Sequence, residues 1–162
     1  MDTLNNNIKE YTIQLSKGQI QKAYKGIMTF MTELKSYLQC KYSEYATSAL
    51  YFGYMDMTYI AFTPSDFRNR KLKIAIVYMH EECQFELWLA GINRQIQADY
   101  INLLSHKNIG NYTLSKVQPG VDSIIASVII HKPDFDNTEK LKKEIELKTM
   151  QFVEDINSML NQ

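Results

Sequence analysis

The sequence predicts an α+β fold: a mainly antiparallel four-stranded sheet packed with helices, in the order α-α-β-β-β-α-β-α. Three observations carry this. Apolar residues recur at helical spacing near both ends of the chain. From Ala46 the pattern changes to aromatic and β-branched runs. Three such runs follow one another with only short polar breaks, which favours an antiparallel meander.

The elements follow in order. Leu4, Ile8, Tyr11 and Leu15 trace one face of a first amphipathic helix, and Gly18 breaks it. Ile20, Tyr24, Ile27, Phe30, Met31, Leu34 and Leu38 line a long second helix. From Ala46 to Phe62 the residues read as one long strand, or as a short strand leading into a longer one, ended by Thr63-Pro64-Ser65-Asp66. Leu72 to Met79 is the second strand, apolar on both faces except at Lys73, and His80-Glu81-Glu82-Cys83 is a hairpin turn. Phe85 to Ala90 is the third, with Glu86, Trp88 and Ala90 on one face and Phe85, Leu87 and Leu89 on the other.

Ile92, Ile96, Tyr100, Leu103 and Leu104 place a helix after Gly91. Such a helix permits a crossover and a partly parallel strand pair. Pro119-Gly120 marks a turn, and Val121 to Ile130 is a strand apolar enough on both faces to predict a central position. Asp136 with Glu139 resembles a capping box at the start of the last helix, which carries Leu141, Ile145, Phe152, Ile156 and Leu160. No repeat or linker interrupts the chain, so residues 1–162 read as one globular domain.

Composition narrows the function. The 18 basic and 18 acidic residues cancel, which argues against a nucleic-acid partner held by a broad basic field. No apolar stretch is long enough to span a bilayer, so no membrane partner is expected. The two cysteines, Cys40 and Cys83, match no zinc spacing and suit free thiols in a reducing cytoplasm. His80 with Cys83 has no second ligand pair. Phosphate loops, serine elbows and HExxH helices are absent, and nothing calls for a cofactor.

Two carboxylates stand inside apolar runs, Asp56 in Gly53–Phe62 and Glu86 in Phe85–Gly91. Burying a carboxylate is costly unless it is paired or hydrogen-bonded. Asp56 either caps backbone amides, takes a tyrosine hydroxyl, or meets Glu86 to hold a metal or share a proton. Glu86 either pairs with Arg94 or Lys73, or lines a pocket with Trp88, Asn93, Arg94 and Gln97 near a helix start. The predicted ligand-binding set is therefore Asp56, Glu86, Trp88, Asn93, Arg94 and Gln97, with no catalytic or metal-binding residue assigned.

The order from the second helix onward, α-β-β-β-α-β, resembles the core of the restriction-endonuclease-like nucleases. That resemblance implies a metal-dependent hydrolase using Asp56 and Glu86. The chain departs from the pattern at Trp88, where those enzymes carry a lysine. A second resemblance spans most of the chain. Lys17-Gly18 with Gln21–Tyr24, Gly53–Tyr59, Phe85–Leu89 with Gly91 and Asn93, and Pro133–Asp136 together resemble an uncharacterised bacterial family catalogued only as a domain of unknown function. It implies a small bacterial cytoplasmic protein and supplies no activity. The reading is a domain that binds a small ligand or a protein without catalysis. The nuclease-like hydrolase is the alternative, and a homodimer formed through the Tyr- and Met-rich helix of residues 18–40 is a third.

Overall fold

The computed structural model describes residues 1–162. Its helices are α1 (Leu4–Ser16), α2 (Gln19–Lys41), α3 (Ser65–Asn69), α4 (Arg94–Leu104) and α5 (Thr138–Leu160). Its strands are β1 (Ala46–Thr47), β2 (Met57–Thr63), β3 (Leu72–Met79), β4 (Gln84–Gly91) and β5 (Ser123–His131). The five strands lie in chain order, β1-β2-β3-β4-β5, and every neighbouring pair is antiparallel. The fold is thus α+β with one strand more than expected, and α3 is an addition.

Several expectations need correction. Of the two readings of Ala46 to Phe62, the short strand leading into a longer one holds and the single long strand does not: β1 doubles back on β2, pairing Thr47 with Phe62, and Tyr51 bridges Tyr59. Gly53 turns that chain with φ of 77°. A Cβ there would lie 1.9 Å from the Met57 carbonyl oxygen, so only glycine fits. No parallel pair forms across α4, because β5 returns beside β4. β5 is an edge strand, not a central one. Its first half is nevertheless buried, because Leu114 bridges Ile125 on the side away from β4 and Ser115 donates to the Ile124 carbonyl at 2.8 Å. An apolar run therefore reports cover, whether from a strand or from a loop. The last helix is capped by Asn137, one residue beyond the predicted cap.

One face of the sheet is roofed by α2 and α5. Phe30, Met31, Leu34 and Leu38 of α2 meet Ile60, Phe62, Ile74, Ile76, Leu87 and Leu89 of the strands and Ile145, Phe152 and Ile156 of α5 in one cluster of 25 buried residues. The apolar stripe of α2 is therefore taken up by the chain's own core. The predicted face of α1 is different: the helix forms, but none of its residues is buried.

The seam between α2 and α5 holds the buried carboxylate of the fold, Glu146, at 7% exposure. Tyr37 and Tyr42 donate their hydroxyls to it, and the Lys41 ammonium lies 2.6 Å away. Burial pushes the Glu146 carboxyl up, but Lys41 and the two hydroxyls outweigh burial and hold it below the usual carboxylate range. The same arrangement pushes the Tyr42 hydroxyl up to about 12, by burial first and the Glu146 bond second.

Candidate functional site

No helix covers the other face of β2, β3 and β4. Alternation places Met57, Tyr59 and Ala61 there from β2, Lys73 and Ala75 from β3, and Trp88 and Ala90 from β4. The register sets Ala61, Ala75 and Trp88 in one row and Lys73 and Ala90 in the next. Three alanines thus stand where large side chains would fill the surface. They floor a hollow of about 390 Å³, walled by Tyr51, Tyr59 and Trp88. Tyr51 and Tyr59 pack with ring centres 4.9 Å apart.

The α4 end of the hollow is built by Asn93, Arg94 and Gln97, with Asp122 opposite. Asn93 caps α4 by accepting from the Ile96 amide at 2.9 Å. Gln97 is buried, and its amide nitrogen donates to the Val121 and Ser123 carbonyls at 3.0 and 2.9 Å. Arg94 donates to the Gln97 side chain and to the Val121 carbonyl, and pairs with Asp122 at 3.2 Å. Asn93 is thus committed to the start of α4, and the polar groups of Arg94 and Gln97 to pinning the 118–122 turn against it. Gly91 permits this close approach: a Cβ there would sit 2.8 Å from the Gln97 backbone nitrogen.

Four of the six residues singled out from the sequence, Trp88, Asn93, Arg94 and Gln97, line this one hollow. Glu86 does not line it. Its carboxylate accepts from the Trp88 indole N–H at 2.9 Å and from Gln84 at 2.8 Å, so its partners are neither Arg94 nor Lys73. Glu86 acts on the hollow by fixing the plane of the indole that walls it. Asp56 is not on a strand and is not buried. One of its oxygens accepts from the Tyr54 and Met57 amides at 2.9 and 2.7 Å, closing the turn ahead of β2. Those amides hold its carboxyl below the usual range.

Asp56 and Glu86 do not meet. Tyr59 of β2 and Glu86 of β4 face opposite edges of Val77, and Asp56 lies three residues before Tyr59. Two strand spacings, roughly 10 Å, separate them laterally, with about 10 Å more along the strand. One cation, whose oxygen ligands sit about 2.3–2.6 Å away, cannot touch both. No group of three or more His, Cys, Asp or Glu residues is arranged to hold a metal ion.

His80 and Cys83 also part company. The Cys83 thiol accepts from the Tyr78 hydroxyl at 3.7 Å, while His80 Nε2 lies 2.8 Å from the Thr58 hydroxyl. Thr58 donates its one proton to the Phe52 carbonyl at 2.7 Å, so it accepts the Nε2 proton of His80. Burial pushes the His80 imidazole down, partly offset by Asp56.

The crowding of tyrosines in the first half of the chain, Tyr51 and Tyr59 among them, points to a groove or an interface, but the alanine floor and Lys73 as a lining group are not among the residues the sequence singles out. The signal was present once in each of three strands: Ala61, Ala75 and Ala90 each interrupt a run otherwise made of large residues.

No helix is long and apolar enough to cross a membrane. Neither the curated proteins nor the solved structures include a match to the chain. The model of a family described as Domain of unknown function (DUF7000) matches residues 4–160, which include every residue lining the hollow. The chain belongs to this DUF7000 family of unknown function.

Proposed function

We propose that this chain is a binding domain without catalysis, and that a small molecule sits in the hollow on the open face of the sheet. The observation that carries the reading is the run of Ala61, Ala75 and Ala90 beneath two tyrosines and the one tryptophan of the chain. Small-molecule sites are concave, mostly apolar and edged by a few polar groups. Rigid aromatic walls bind with little loss of side-chain freedom. Arg94 and Gln97 at the α4 end are engaged internally, which suits holding a ligand rather than transforming it. The bacterial cytoplasm is the proposed location, supported by two free thiols, Cys40 and Cys83.

The single tryptophan makes the test direct. A fragment library is screened by the shift of the Trp88 indole N–H resonance and by thermal melting. Fragments that move that resonance and raise the melting temperature, with both effects lost in Ala75→Met, are the expected result. A diverse library in which no member moves the Trp88 signal overturns the reading.

A further inference from the structure

We infer that the ligand of this hollow is a planar aromatic molecule carrying an anionic group, with its ring against Trp88 and Tyr59 and its charge on Lys73 and Arg68. This rests on the binding reading above and specifies its ligand class.

The hollow has a continuation. A second recess of about 330 Å³ shares Ala61, Lys73 and Ile92 with the first, so the two are ends of one groove across the open face. The ends differ in chemistry. One is aromatic, with Trp88, Tyr59 and Tyr51. The other is lined by Thr47, Arg68 and Lys73.

Charge decides what the polar end accepts. Arg94, at the aromatic end, is neutralised by Asp122 at 3.2 Å. Lys73 and Arg68 have no acidic partner within ion-pair distance and no side-chain hydrogen bond. Lys73 stands on the central strand, opposite Ala90, and lines both ends of the groove. Two uncompensated cations face one recess with no carboxylate among its lining residues. The Thr47 hydroxyl in the same wall is buried without an acceptor. An anionic oxygen supplies what all three groups lack. A flat aromatic body suits the other end, where offset ring stacking and a small-residue floor favour a planar shape.

The test uses four probes with one ring system: 2-naphthoate, 2-naphthyl phosphate, neutral 2-naphthamide and cationic 2-naphthylmethylammonium. Each is titrated into the full chain while the Trp88 indole resonance is followed. The anions are expected to bind at least about tenfold more tightly than the amide, and the ammonium most weakly. Raising the salt concentration should shrink the preference, because exposed charges are screened. Lys73→Met, which keeps the aliphatic stem, should bring naphthoate within about twofold of the amide, and Arg68→Met should act mainly on the phosphate. A larger gain for the phosphate than for the carboxylate identifies a phosphorylated ligand; the reverse identifies a carboxylic acid. Equal binding of anion, amide and ammonium, or a charge preference unchanged by salt and by Lys73→Met, overturns the inference and leaves the binding site itself standing. Loss of binding by all four probes overturns the ligand class. The fragment screen then decides the site separately.

Discussion

The two faces of the sheet carry opposite solutions to one problem. On the roofed face, Ile60, Ile76, Leu87 and Leu89 are fully buried beneath α2 and α5. On the open face, the alternate residues of the same strands that line the hollow are alanines, a lysine, a methionine, a tyrosine and a tryptophan. Alternation lets both patterns share three strands. The difference teaches that a filled core face and a hollowed open face are separated by a single residue of register. Large aliphatic residues fill space where a helix will cover them, and small ones leave space where nothing does.

That comparison can be broken from either side. The largest effect is expected on the roofed face. Leu87→Ala removes a fully buried side chain and should cost about 2–5 kcal/mol in urea unfolding. Retention of wild-type stability would mean the core is not where the packing places it.

Glu146 comes next, because it lies in the same roof. Glu146→Ala strands two tyrosine hydroxyls and releases Lys41, for a loss of roughly 2–3 kcal/mol. Its carboxyl is held down in the folded protein, so its contribution is complete above the ordinary value of 4.5 and fades as pH falls through the lower folded value. Stability measured from pH 7 to pH 3 should therefore drop more steeply in the wild type than in Glu146→Gln. Parallel curves would sink this assignment.

Gly91→Ala tests the junction between the faces. The added methyl meets the Gln97 nitrogen and Ile96 at 2.8 and 2.9 Å, and should cost about 1–3 kcal/mol while displacing the start of α4. A shift of the Trp88 indole resonance in this variant would show that α4 positions the hollow. The smallest stability effect belongs to the open face. Ala75→Met fills the floor of the hollow and should leave stability within about 1 kcal/mol while abolishing probe binding. A large destabilisation instead would make that face structural.

Much of the architecture was legible in the residues. The alternation of Phe85 to Ala90 placed Trp88 and Leu87 on opposite faces, and the structure has them so. The helix after Gly91 and the hairpin at His80–Cys83 also follow local chemistry. The site was legible in part. Trp88, Asn93, Arg94 and Gln97 are close in the chain, so a strand turning into a helix brings them to one place. Asp56 and Glu86 are far apart in the chain, and their relation depended on strand order. The carboxylate that is buried, Glu146, hid within a helical pattern, because helical spacing does not say which polar residue faces a neighbouring helix.

The sequence by itself determined the periodicities, the turns and the two chemistries of the strands, since these depend on residues within a few positions of one another. Only the tertiary structure decided that β5 lies at an edge, that Glu146 meets Tyr37, Tyr42 and Lys41, and that Lys73 and Arg68 share one recess. Those relations, in the recess the placing of Thr47 beside Arg68 and Lys73, join residues distant in the chain. They are selected by which apolar surfaces bury one another, and local patterning does not encode that choice.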